Sequence, residues 1–243
     1  MTKRIPLTPD SVRCSTCGLG QFCLPVGMAA EDAGRMDELV QQRVRLGRGE
    51  SLFRFEDGLD AVYGIRFGTL KTYLELADGR QQITGFHLPG EIVGLDGLGR
   101  SSHASTAIAL EDSEVCVIPV RDLSSLANHL PSLQRQLMRL MSREIEQDQQ
   151  MLLSLGTMRA EERLAAFLLN LVQRLQARGF SPSEFNLRMT REEIGSYLGM
   201  KLETVSRTFS KFVDDGIIDV KQRYVHIKDT EALRRIVNPQ TCS

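Results

Sequence analysis

Between Pro131 and Leu155, apolar residues recur with a helical period on two separate stripes. Met138, Met141, Ile145, Asp148, Leu152 and Leu155 alternate steps of three and four, the spacing of a two-stranded coiled-coil seam. Pro131 suits a first helical turn, Gly156 suits a stop, and nothing between them breaks a helix. The pattern predicts one helix from Pro131 to Leu155, a rod of roughly 37 Å at about 1.5 Å per residue. Leu133, Leu137 and Leu140 form the second stripe, suited to packing on the helix's own domain. A buried core helix would account for both stripes. Asp148 argues against it, because an unpaired carboxylate is expensive in a single-chain core. In a parallel dimer the same residue faces its own copy, and the repulsion can act as a control. The expectation is a dimerisation helix.

Upstream, Met28 to Gln42 reads as a short amphipathic helix, and Arg43 to Val120 as short β-prone runs. Turn signals at Asp57-Gly58, Gly68, Asp78-Gly79, Pro89-Gly90, Gly97 and Glu111-Ser113 punctuate these runs about every ten residues, the spacing of an antiparallel sandwich or barrel. In the last run, EVCVIPV, alternation sets Cys116 and Ile118 on the face opposite Val115 and Val117. Downstream, Arg159 to Ala177 is amphipathic through Leu164, Phe167, Leu168, Leu171, Val172 and Leu175. Thr190 and Glu193 then form a capping box, Ile194 and Leu198 point inward, and Gly199 turns the chain into a second helix, which makes a helix-turn-helix. In that second helix Leu202, Val205, Phe209 and Phe212 take the inner face, while Glu203, Ser206, Arg207 and Ser210 form an outward polar stripe. IIDV and YVHI read as a hairpin, completing a winged helix.

Composition adds limits. The 243 residues, 42% hydrophobic and 25% charged, are ordinary for a globular chain of two modest domains. The opening residues lack the apolar core of a signal peptide and no long apolar run follows, so a soluble, cytoplasmic protein is expected. Net charge is −1, but the part after Gly156 holds 14 basic and 11 acidic residues, compatible with nucleic acid.

In a reducing compartment the cysteines read as ligands or free thiols rather than disulfides. Cys14, Cys17 and Cys23 lie in CSTCGLGQFC, a loop that can wrap one metal ion or the corners of an iron–sulfur cluster. Cys116 is the best fourth ligand, and a small buried thiol is its alternative role. Cys242, near the chain end, looks incidental. The four histidines, His87, His103, His129 and His226, are scattered, and no Ser-His-Asp pattern or phosphate loop is present.

Together the CxxC with its third cysteine, the distant Cys116, ITGFHLPGEIVGLDG, QLMRLMSREI with Asp148, and ETVSR resemble the cyclic-AMP receptor protein superfamily. Within it they resemble the oxygen-sensing fumarate and nitrate reductase regulators, the FNR type, over nearly the whole chain. The resemblance implies an α+β chain: a cyclic-nucleotide-binding-like β-roll sensor domain, a long dimerisation helix and a C-terminal winged helix. The expected divisions are a cluster-binding segment at 1–30, the sensor at 31–130, the helix at 131–156 and the DNA-binding domain at 157–243. It further implies a [4Fe-4S] cluster on Cys14, Cys17, Cys23 and Cys116, an aspartate at the Asp148 position, and binding to a TTGAT-type inverted repeat. Contact with RNA polymerase, including through the hairpin near Ala77 to Arg80, is implied as well.

Relatives that bind a cyclic nucleotide place a glutamate and an arginine around it. Leu95 and His103 stand there in this chain, so no cyclic nucleotide is expected. Arg207 can donate two hydrogen bonds to guanine and Glu203 can accept from a cytosine amino group, with Ser206 more tolerant. Two rival readings are a zinc-holding regulator of the same superfamily that senses another signal, and a β-barrel metalloenzyme fused to a DNA-binding domain.

Overall fold

The structure, a computed structural model, describes residues 3–6, 13–40 and 42–238. Cys242 lies outside the described residues. The chain divides into two compact units, Met1–Ile145 and Glu146–Ser243.

The first unit holds β1 (Lys3–Pro6), a 3-10 turn at Cys14–Thr16, α1 (Ala30–Leu39), β2 (Gln42–Leu46), β3 (Ser51–Phe53), β4 (Ala61–Phe67) and β5 (Leu70–Glu75). It continues through β6 (Gln81–His87), β7 (Ile92–Val93), β8 (Thr106–Ala109), β9 (Ser113–Pro119) and α2 (Val120–His129) into the start of α3 (Pro131–Thr157). The strands form two antiparallel sheets in the orders β1-β2-β9-β4-β7 and β3-β8-β5-β6. Val44, Phe53, Ile65, Leu70, Val115 and Val117 belong to one buried core. Alternation along β9 sends Cys116 and Ile118 to a second apolar cluster, built with Met36 and Leu39 of α1, Leu123 of α2 and Leu133 and Leu140 of α3. The inner stripe of the long helix is thus buried on its own unit, each such leucine worth about 1.5–3 kcal/mol. Helix α1 is shorter than its pattern predicts, because Gln42 already opens β2.

Helix α3 runs past Gly156, which therefore does not stop it. No atom lies within 4 Å of a Cβ placed there, so that position takes ordinary helical backbone. At its end Met158 N–H still donates to Ser154 O in the helical pattern, and the Arg163 side chain takes up the free carbonyl of Leu155 and, just past the helix, that of Met158.

The second unit contains the end of α3, α4 (Ala160–Ala177), β10 (Glu184–Asn186), α5 (Arg191–Leu198), α6 (Leu202–Asp214), β11 (Ile218–Lys221), β12 (Tyr224–Ile227) and α7 (Thr230–Val237). The capping box at α5 is formed: Glu193 N–H donates to Thr190 Oγ1 at 3.1 Å and Thr190 N–H to the Glu193 carboxylate at 2.7 Å. Gly199 takes φ +61°, a left-handed conformation in which a β-carbon is strained, and starts the turn into α6. Val205, Phe209 and Phe212 are buried on the inner face of α6. Leu202 is not: at the first position of the helix it is 46% exposed, and Thr208 takes a place on the inner face. β11 and β12 pair as the expected hairpin and β10 adds a third strand. Among the described residues no helix is long and apolar enough to cross a membrane.

Candidate metal centre and nucleic-acid interface

The four cysteines come from two segments about ninety residues apart and line one cavity. Cys14 sits in the 3-10 turn, Cys17 just after it and Cys23 in the following turns. Cys116 faces them from β9, where its cross-strand neighbours are Arg43 on β2 and Gly64 on β4. None of the four is in a disulfide. Gly64 lies against this cluster: a β-carbon there would sit 3.4 Å from Cys23 Sγ, in contact with it. A lone glycine inside a strand pattern is a sequence signal for such close approach.

The cavity wall is largely apolar, with Met36, Val40, Ile65 and Ile118 beside the thiols. Burial pushes the Cys14 thiol far up, with the neighbouring Cys23 and Cys116 sulfurs adding to it. Burial likewise pushes Cys23 up to about 12, and raises Cys116 against the opposing pull of Arg43, whose charge and hydrogen bond favour the thiolate. Burial thus favours the protonated form of Cys14, Cys23 and Cys116, and a metal centre would have to displace those protons. Among the described residues no three His, Cys, Asp or Glu side chains gather tightly enough to hold a single ion. Four thiols lining one apolar cavity are a donor set that suits a soft centre, whether zinc or an iron–sulfur cluster.

Several contacts around this cavity have no periodic signal in the sequence. Ser15 donates twice to Asp37 of α1, from N–H at 2.9 Å and from Oγ at 2.6 Å. Buried Gln136 of α3 donates to Cys23 O at 3.4 Å, and Ser132 to Asp32 at 2.7 Å. Beside Cys116, the Glu114 side chain is 3% exposed and receives Arg66 at 2.7 Å, Arg45 at 2.9 Å and Arg43 at 3.5 Å. Burial works to raise its carboxyl, but these guanidinium groups outweigh it and hold the group below the usual carboxylate range.

On the long helix the seam lies open. Met138 is 55% exposed, Ile145 57% and Leu152 70%, and Met141 and Asp148 are also exposed, whereas Leu155 is half-buried. Leu153, outside the seam pattern, is exposed too. On α6 Glu203, Ser206, Arg207 and Ser210 all face solvent on one side of the helix. Gly195, which sequence reasoning missed, lets α5 approach the turn: a β-carbon there would meet Met200 O at 2.5 Å.

A two-sheet unit with a thiol-lined cavity, an open apolar helix face and a winged helix with an exposed polar stripe are the parts of a DNA-binding regulator. Residues 162–236 match the Crp-like helix-turn-helix domain and residues 43–129 the cyclic nucleotide-binding domain. The chain is 57% identical over 242 residues to the transcriptional regulatory protein btr of Bordetella pertussis, covering 100% of both chains. It is 50% identical to the transcriptional activator protein Anr of Pseudomonas protegens, over 90% of each. To the fumarate and nitrate reduction regulatory protein of Escherichia coli K12 it is 43% identical, over 96% of this chain and 94% of that one. The structure of FixK2 from Bradyrhizobium japonicum aligns with a TM-score of 0.75 at 31% identity, covering 80% of this chain and 96% of that one. The chain belongs to the Crp/Fnr family of transcription regulators. Its relatives are regulators and not enzymes, which removes the metalloenzyme reading.

Proposed function

We propose that this chain is a cytoplasmic, oxygen-responsive transcription regulator that carries a [4Fe-4S] cluster on Cys14, Cys17, Cys23 and Cys116. The observation that carries the reading is the convergence of four thiols from two distant segments on one apolar cavity. The roles named for its relatives, an activator and a regulator of fumarate and nitrate reduction, support an anaerobic role. When bound, the cluster supplies an oxygen-labile inorganic centre, and Arg43 and Arg66 set positive charge beside the Cys116 thiolate that would hold it.

The remaining steps belong to the chain's own residues. With its three thiolates engaged, the loop is fixed on the sheet, and the bonds from Gln136 to Cys23 O, Ser15 to Asp37 and Ser132 to Asp32 seat the start of α3. The seam then pairs Met138, Met141, Ile145, Leu152 and Leu155 with a second copy, giving a homodimer. Two α6 helices enter successive major grooves of a TTGAT-type inverted repeat, where Arg207 reads guanine, Glu203 reads cytosine and Ser206 packs beside them. Because one half-site binds poorly alone, loss of the dimer in oxygen weakens DNA binding steeply. RNA polymerase is the further partner, through surfaces that include the β5–β6 hairpin. No cyclic nucleotide is used: His103 is buried and stacked on Phe53, and Asp96 already accepts from Ala104 N–H and Ser105 Oγ. The domain limits we propose are the cysteine segment to residue 30, the sensor to 130, the helix to 156 and the reading domain beyond.

Anaerobic purification followed by visible absorbance and iron and sulfide assay tests this, repeated after air exposure. Serine at any of the four cysteines should abolish cluster retention and DNA binding, while Cys242→Ser leaves both near normal. A colourless protein holding zinc would establish the rival regulator, and a full four-iron cluster in Cys116→Ser would refute the ligand set.

A further inference from the structure

We propose that Arg163 is a positioning residue that locks the reading head to the end of the long helix, so that the geometry of the seam dictates the geometry of α6. This rests on the proposed pairing of two copies through α3. Arg163, on the first turn of α4, donates through Nη2 to Leu155 O at 2.8 Å, through Nε to Met158 O at 3.0 Å and through Nη1 to Leu198 O at 3.0 Å. Leu155 is the last seam residue of α3, and Leu198 is the last residue of α5. One planar guanidinium therefore caps the C-terminal carbonyls of two helices, which lack intrahelical partners and carry the negative end of each helix dipole.

A second contact joins the same two places. A β-carbon at Gly199 would lie 2.8 Å from Leu155 Cδ2, so the turn that launches α6 is seated directly on the last seam side chain. All of these residues lie in one compact unit, Glu146–Ser243. A lysine cannot reproduce the arrangement, because its point charge lacks the fork that spans three carbonyls.

The test uses the full chain, prepared anaerobically, with a fluorescent duplex carrying the TTGAT inverted repeat and two further duplexes whose spacer is one base pair shorter or longer. One base pair moves a half-site by about 3.4 Å and a tenth of a turn, so a rigid dimer pays steeply for the change. Arg163→Met should sediment as the wild-type dimer, bind the normal repeat about tenfold more weakly, and lose most of the penalty for altered spacing, because loosened heads adapt. Gly199→Ala, whose added β-carbon would press on Leu155 and lie 3.5 Å from Arg163 Nη1, should shift the spacing profile in the same direction from the other side of the joint. If Arg163→Met does not fold, Arg163→Lys carries the same comparison with the charge retained. The inference is overturned if the spacing penalty stays at the wild-type value in these variants, or if affinity falls only in proportion to folded protein in thermal unfolding. Failure of the underlying functional reading shows separately, as a wild-type protein that does not dimerise or ignores the repeat.

Discussion

Replacing Asp148 with alanine should convert this regulator into one that dimerises and binds DNA in air. In a single copy, Met138, Met141, Ile145 and Leu152 are each between 40% and 70% exposed, so pairing buries about half of each side chain. At about 1.5–3 kcal/mol for a whole side chain, that is worth roughly 1 kcal/mol per residue, or about 8 kcal/mol across both helices. Association itself costs about 4–15 kcal/mol, so the seam is balanced near zero by its own contacts. Against that balance, two Asp148 carboxylates about 6 Å apart repel by about 0.7 kcal/mol in water and about 3 kcal/mol at an effective dielectric near 20. Removing the pair should therefore raise the dimerisation constant by between about threefold and a hundredfold. Ile145→Glu acts in the opposite sense: it deletes an apolar contact, adds a second like-charged pair, and should keep the protein monomeric under nitrogen. Sedimentation of both variants and the wild type, in air and under nitrogen, reads these shifts directly. The reasoning is refuted if Asp148→Ala stays monomeric in air at concentrations where the anaerobic wild type is dimeric. Asp148 would then lie outside the seam or be met by a cation.

Three other outcomes are expected. Arg207→Ala should lose about 1–3 kcal/mol of discrimination at one G·C pair per half-site, whereas Lys201→Ala should weaken all sequences alike; binding to a palindrome and its single-base variants separates them. Gly90 holds φ +89° and a β-carbon there would overlap Phe22 Cβ at 2.6 Å, so Gly90→Ala should dislodge the cysteine loop and lower iron retention with every thiol still in place. Glu114→Gln should destabilise the sensor unit by about 3 kcal/mol in thermal unfolding, since it strips the carboxylate from three converging guanidinium groups, one of them largely buried.

What was legible in the sequence followed from short-range rules. The two stripes of α3, the capping box, the turn at Gly199 and the alternation at Cys116 each depend on residues a few positions apart, and each has its counterpart in the structure. Errors arose where a local signal had more than one meaning. Gly156 reads as a stop, yet a glycine with open space around it is tolerated inside a helix at about 1 kcal/mol relative to alanine. Leu202 fits the inner stripe by spacing, but at the first helical position it has no turn before it to hold it inward. Helix α2 went unread although Leu123, Leu126 and Leu130 carry a helical period, because the β-prone run before it and the proline after it drew the boundary. Strand β10 is three residues long, too short for any period to show. The Glu114 cluster and the Arg163 clamp were not legible at all, since register between distant strands and helix ends decides which arginine meets which oxygen.

The cysteine loop is built of short-range turns. From Arg13 to Met28 its backbone hydrogen bonds close over three or four residues, as in Cys17 N–H to Cys14 O, Cys23 N–H to Leu19 O and Met28 N–H to Pro25 O. By contrast, β4 and β9 are joined by a ladder between residues about fifty positions apart in sequence. A segment whose backbone-to-backbone hydrogen bonds close within itself, tied outward by Ser15 to Asp37 and by Gln136 to Cys23 O, can open without breaking that ladder, so its opening free energy sits at the low end of the protein's range. Amide exchange at these positions should accordingly be governed by ligation of the sulfurs, while the barrel amides stay protected throughout. Release of a bound centre would then melt one short loop and leave intact the scaffold on which the loop must be rebuilt.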